Sequence, residues 1–157
     1  MKKKPVKAKR PEWDEYFLEI AKVVGRRSTC DRSQVGAVLV KDRFILATGY
    51  NGAAKGMPHC DDVGHELVDG HCVRTVHAES NAIIQAARLG KSIDGATLYL
   101  TISPCYDCFK MIVNAGIKRV VYNNFYMSRY GASGQVLKLA KTSGVNIVNY
   151  TKESQLI

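Results

Sequence analysis

The chain of 157 residues has no apolar run of membrane length; its longest clean stretches, such as Val35 to Val40 and Phe44 to Ala47, are strand-sized. No apolar segment follows the basic start, so a secretory leader is not expected and the protein is expected to be soluble, intracellular and cytoplasmic. Internal repeats are missing, and so is low complexity beyond the first ten residues. Acid is missing there too: Lys2, Lys3, Lys4, Lys7, Lys9 and Arg10 precede Pro11 with no Asp or Glu among them. The formal charge of +9 therefore overstates the charge of the rest, where 17 basic and 14 acidic residues leave +3. That pattern reads as a basic flexible tail (1–10) before one domain (11–157), with the charge carried by a solvated arm more than by a folded face.

At 46% hydrophobic and 24% charged, the composition is that of one compact domain. A chain of this size buries roughly 70% of the surface its unfolded form exposes, so a core needs no metal, and any metal site asks for a functional reason. Five cysteines without a leader suggest reduced thiols available for metal or redox chemistry in place of a disulfide framework.

Pro11 to Val24 carries Trp13, Phe17, Leu18, Ile20, Ala21 and Val24 at three-and-four spacing, an amphipathic helix ending near Gly25. Val35 to Val40 and Phe44 to Tyr50 flank a polar turn at Lys41 to Arg43 and read as a hairpin. Asn51 to Val76 holds three of the four His and two of the five Cys without a sustained period, and reads as a long functional or braced loop. Beyond it, helices are expected at His77 to Leu89, Pro104 to Ala115 and Val136 to Thr142, and strands at Ala96 to Ile102, Arg119 to Asn124 and Val145 to Tyr150. Strands alternating with single helices need crossovers, so the last three strands should be parallel, with helices covering the sheet.

Two helix starts carry the chemistry. His77-Ala78-Glu79 opens one, and Pro104-Cys105-Tyr106-Asp107-Cys108 opens another directly after a strand. Cys105 and Cys108, three apart, share a helix face, where the helix dipole favours thiolates. One imidazole and two thiolates leave a fourth tetrahedral position for water, the arrangement of a catalytic zinc. Glu79, in a first turn, reaches the same pocket as a general acid and base. Alone, the Cys-x-x-Cys would also suit a redox pair and His77 a core histidine; together they match the H-x-E and P-C-x-x-C signature known for zinc nucleobase deaminases.

Gly49-Tyr50-Asn51-Gly52, the run from His71 to Glu79, and Ser103-Pro104 with Cys105 to Cys108 resemble the deoxycytidylate deaminase family of bacteria and phages, over nearly the whole chain after the tail. The resemblance implies a three-layer α/β/α cytidine deaminase-like fold with a five-stranded mixed sheet. It also implies hydrolytic deamination of dCMP to dUMP and ammonia. Zn2+ would be held by His77, Cys105 and Cys108, with Glu79 moving protons. Asn51 would contact the sugar, backbone near Ala78 and Ser103 would orient the base, and Tyr126 matches a family tyrosine near the substrate or is a strand-end core aromatic. Arg26, Arg27 and Arg32 are candidates for the phosphate. Homo-oligomers, commonly hexamers, activated by dCTP and inhibited by dTTP, are implied by the resemblance alone.

Cys30, Cys60, His71 and Cys72 remain, a shell for a second, structural zinc that the related phage enzymes suggest at the positions of Cys30 and Cys60. Neighbouring side chains diverge, so His65 or His59 is an alternative to one of the adjacent pair; otherwise Cys30 and Cys60 are small buried hydrophobes. Two other functions fit less of the sequence: a tRNA or nucleic-acid deaminase, supported only by the basic tail, and a silent zinc-stabilised nucleic-acid-binding protein, against which Glu79 argues.

Overall fold

The computed structural model describes residues 10–126 and 133–153, so the lysines of the basic tail lie outside the described residues. Helix α1 (Trp13–Gly25) leads into the hairpin of β1 (Gly36–Lys41) and β2 (Phe44–Tyr50). Asp42 (φ 51°) and Arg43 (φ 68°) form its turn, the pair of left-handed residues that matches a two-residue loop to strand twist. The segment expected to be one long loop contains short paired pieces: β3 (Gly52–Ala53), α2 (Cys60–Val63), β4 (Leu67–Val68), β5 (His71–Cys72) and β6 (Thr75–Val76). β3 pairs with β6 and β4 with β5, each antiparallel. Two-residue strands leave too little sequence for a period, which is why none was visible.

The next six elements follow the expected alternation: α3 (Ala78–Arg88), β7 (Thr97–Ile102), α4 (Tyr106–Asn114), β8 (Arg119–Asn124), α5 (Ser133–Ser143) and β9 (Asn146–Asn149). The strand expected to reach Tyr150 stops one residue short, and Tyr150 instead begins a short helix that was not expected, α6 (Tyr150–Glu153). The sheet order is β2-β1-β7-β8-β9. β7, β8 and β9 are parallel neighbours, while β1 runs antiparallel to both β2 and β7, so the sheet is mixed.

Both faces of the sheet are covered. Ala37 and Leu39 of β1, Leu98 and Leu100 of β7 and Val120 of β8 pack against Ala82 and Ala86 of α3, Phe109 and Ile112 of α4 and Val136 and Ala140 of α5. Val38, Val40, Tyr99, Val121 and Val148, the alternate residues, meet Phe17, Leu18 and Ala21 of α1, with Tyr150 at the margin. This is the three-layer α/β/α sandwich.

Two features position the site. The carboxyl ends of the parallel strands β7 and β8 open onto the loops at Ser103 and Phe125, the edge where open α/β sheets bind ligands. On the other side, a side chain at Gly49 would fall on the backbone of Ala78 and Ala82, so β2 and the start of α3 approach as closely as only glycine allows. Among the described residues, no helix is long and apolar enough to cross a membrane.

Candidate active site

His77 is the N-cap of α3 and Cys105 the N-cap of α4, both with extended backbone, and the two helix starts face each other. The His77 Nδ1 lies 3.6 Å from Cys105 Sγ and 3.4 Å from Cys108 Sγ. A tetrahedral zinc with Zn–S of about 2.3 Å and Zn–N of about 2.0 Å requires N···S separations of about 3.6 Å. The three donors therefore fit the ion, and their number leaves one position for water.

Their electrostatics favour a cation. The hydrogen bond with Cys108, then that with His77, holds the Cys105 thiol down to about 4 against burial. Cys108 moves the opposite way, pushed up by the Cys105 hydrogen bond and by burial. His77 is raised to about 9, first by its hydrogen bond to Cys105, with the Glu79 charge adding. Two thiols this close share one negative charge, and a divalent ion between them lets both ionise.

Glu79, in the first turn of α3, is 4% exposed. Burial pushes its carboxyl up to about 7, opposed by the positive charge of His77. A buried carboxyl near neutrality beside a metal site suits proton transfer. Behind the thiols, the Ser80 hydroxyl lies 3.6 Å from Cys108 Sγ. Once Cys108 is a thiolate, only the hydroxyl has a hydrogen to give, so Ser80 supports a ligand from the second layer.

Ser103 lies at the end of β7, where its Oγ accepts the Tyr126 N–H at 2.8 Å and its own N–H donates to the Asn124 carbonyl at 2.8 Å. Tyr126 is thereby anchored through its backbone at the rim, its side chain partly exposed, and not packed into the core. Ser103, Cys105, Tyr106 and Tyr126 line a small cavity there. Ala78 is fully buried under the start of α3. Asn51, 7% exposed, is tied to the α1–β1 loop: Oδ1 accepts the Val35 N–H at 2.8 Å and Nδ2 donates to the Ser33 carbonyl at 2.7 Å. One hydrogen and one lone pair of that amide remain for another partner.

The three candidate arginines separate. Arg32 donates to the Gly70 carbonyl at 2.9 Å, clipping the first loop to the insert. Arg26 and Arg27 are exposed at the end of α1, and their side chains make no bond among the described residues.

A second group gathers Cys30, Cys60, His65 and Cys72, with all ligand atoms within 4.8 Å of one another. Cys60 Sγ lies 3.5 Å from Cys72 Sγ, well beyond a bond of about 2 Å, and Cys30 Sγ lies 3.7 Å from His65 Nδ1. These separations again suit a tetrahedral zinc. His65, not His71, joins the thiols. His71 and Cys72 are consecutive residues of β5, so their side chains leave the strand on opposite faces and one site does not receive both. The other ring nitrogen of His65, Nε2, is 3.0 Å from Asp31 Oδ1, the carboxylate support typical of a ligating imidazole. Burial raises Cys72, but backbone hydrogen bonds from Arg74 and Glu66 prevail and bring it down to about 7. Cys60 is pushed up to about 12 by burial and by the neighbouring thiols.

A three-donor metal site with a buried carboxyl, set at two helix starts on the ligand-binding edge of a mixed sheet, defines a metal-dependent hydrolytic enzyme of the α/β/α deaminase class. The chain belongs to the cytidine and deoxycytidylate deaminase family, whose zinc-binding region matches residues 11–124. It is 48% identical over 125 residues to the deoxycytidylate deaminase of Mycobacterium phage D29, covering 72% of this chain and 95% of that protein. It is also 39% identical over 148 residues to the ComE operon protein 2 of Bacillus subtilis, covering 94% of this chain and 76% of that one. Among solved structures, the dCMP deaminase of cyanophage S-TIM5 in complex with dCMP and dUMP superposes with a TM-score of 0.74 at 38% identity, over 89% of this chain and 98% of that one.

Proposed function

We propose that this chain hydrolyses dCMP to dUMP and ammonia. The observation that carries the proposal is the buried Glu79 carboxyl set beside the convergent His77, Cys105 and Cys108, in a chain 38% identical to a deaminase structure bound to dCMP and dUMP. His77, Cys105 and Cys108 would hold the catalytic zinc. When bound there, zinc supplies a Lewis acid that brings the pKa of a water down to roughly 7.

Glu79 takes a proton from the attacking water and passes it to ring N3. As the C4–N bond breaks, it takes the remaining proton of the new C4 hydroxyl, which becomes the carbonyl, and hands it to the 4-amino group, which leaves as ammonia. Its buried position keeps bulk water from competing for that proton. The Ala78 and Ser103 backbone orients the base, Asn51 offers its remaining amide hydrogen and lone pair to the sugar, and Tyr126 closes the rim. Arg26 and Arg27, exposed at the end of α1, remain the candidates for the phosphate, Arg32 being committed to Gly70.

Cys30, Cys60, His65 and Cys72 would hold a second, structural zinc that braces the insert against the first loop. By resemblance, we also assign a single deaminase domain from residue 11 onward and a cytoplasmic role in pyrimidine deoxynucleotide supply. The same resemblance suggests a hexamer responsive to dCTP and dTTP. Incubation of the zinc-loaded protein with dCMP, following ammonia and dUMP together, tests the reaction. Equal release of both is expected, and absence of either contradicts it.

A further inference from the structure

Asn81 lies on the first turns of α3, four residues after His77 and two after Glu79. Its Nδ2 donates to two carbonyl oxygens, that of Tyr50 at 2.8 Å and that of Val76 at 3.4 Å. Tyr50 is the last residue of β2 and directly precedes Asn51; Val76 is the last residue of β6 and directly precedes His77. One primary amide therefore grips both chain segments as they enter the site, and only a group with two N–H hydrogens on a short stem does this.

The grip completes a second one from the opposite side. The Asn51 amide is bonded to Val35 and Ser33, the Asn51 N–H donates to the Val35 carbonyl at 3.3 Å, and the Thr29 N–H donates to the Asn51 carbonyl at 3.4 Å. The first loop holds Asn51 from one side, and Asn81 holds its strand from the helix that carries His77 and Glu79. We propose that Asn81 is a positioning residue that sets the distance between Asn51 and the metal-bearing helix, and so seats the nucleotide sugar relative to the reacting carbon. This rests on the dCMP reading and extends it to a residue outside the metal-ligating group.

Asn81→Asp keeps the shape but replaces the NH2 group, with its two donor hydrogens, by one carboxylate oxygen facing two carbonyls. KM for dCMP is expected to rise at least tenfold, with kcat changed less than threefold and zinc content unchanged. Asn81→Ala, which adds no charge, should shift KM in the same direction. In an Asn51→Ala background, Asn81→Asp should cost less than a further threefold, because the residue it positions is gone. Full additivity in that cycle, or zinc loss from Asn81→Ala, overturns the proposal. Amide hydrogen exchange of residues 50–53 reads the grip without substrate: faster exchange in Asn81→Ala is expected, and unchanged exchange contradicts it. Wild-type protein inert toward dCMP would sink the dCMP reading while the exchange result still stands or falls by itself.

Discussion

Asp31 and His65 meet carboxylate to imidazole, Oδ1 to Nε2 at 3.0 Å, which leaves Nδ1 facing Cys30 Sγ at 3.7 Å. A proton on Nε2 held by Asp31 presents the Nδ1 lone pair to a metal. His65→Ala is accordingly expected to lower bound zinc by one equivalent and Tm by roughly 4–8 °C, the shift expected for about 2 kcal/mol in a chain of this size. His71→Ala should keep the full zinc content. Metal analysis of the two variants decides which histidine belongs to the group, and loss of zinc from His71→Ala alone would restore the adjacent pair.

Glu79 is buried but is not among the three converging donors. Glu79→Gln should therefore retain catalytic zinc while turnover falls roughly 10²–10⁴-fold, the usual contribution of a general acid and base. Steady-state rates measured beside metal content check this. Zinc loss as large as that of Cys105→Ser would move Glu79 into the metal shell.

The Ser80 hydroxyl supports Cys108 from behind. Ser80→Ala is expected to weaken zinc retention about 10–100-fold, read by competition with a chromophoric chelator, and Ser80→Thr should restore most of it. Equal retention in Ser80→Ala and wild type would leave the hydroxyl without a role at the metal.

Far from the site, Arg119 forks onto Asp14 with bonds of 2.7 and 2.6 Å, and the Tyr99 hydroxyl donates to the same carboxylate at 2.8 Å. The Arg119 hydrogen bond, with Tyr99 adding, holds the Asp14 carboxyl below its usual range despite partial burial. A depressed folded pKa stabilises the protein above the unfolded value and loses that contribution as pH falls through the folded one. Asp14→Asn should cost about 1–3 kcal/mol at neutral pH and flatten the decline of Tm below about pH 4. An unchanged acid limb in thermal melts from pH 3 to 7 would remove Asp14 from it.

How far the sequence could be read follows from how local each signal is. β8 was legible to the residue because Arg119–Asn124 is one uninterrupted strand between a helix stop and a loop. Cys105 and Cys108 were legible because a spacing of three puts them on one helix face, and His77 and Glu79, two apart, because at a helix start both reach past its end and complete a known signature. His65 was open to sequence reasoning only as an alternative. The choice over His71 depends on which face of a two-residue strand each side chain leaves, and no periodicity survives at that length. Ser80 and Asn81 look like ordinary polar residues of a helix surface; their partners are 28 and 31 residues away, at Cys108 and Tyr50. The one available hint was their place directly after the H-x-E run.

The most direct test is the comparison of dCMP with deoxycytidine and with a cytosine-bearing oligonucleotide, measured as kcat/KM for ammonia release at low and physiological salt. A mononucleotide site that recognises one phosphate by charge-assisted hydrogen bonds should lose at least tenfold on deoxycytidine, about 1.4 kcal/mol, and should depend only modestly on salt. Neutralising Arg26 or Arg27 should penalise dCMP and spare deoxycytidine. The oligonucleotide should react far more slowly than dCMP. Efficient deamination of the oligonucleotide, steeply weakened by salt and abolished by removing residues 1–10, would contradict the assignment and make the chain a nucleic-acid deaminase.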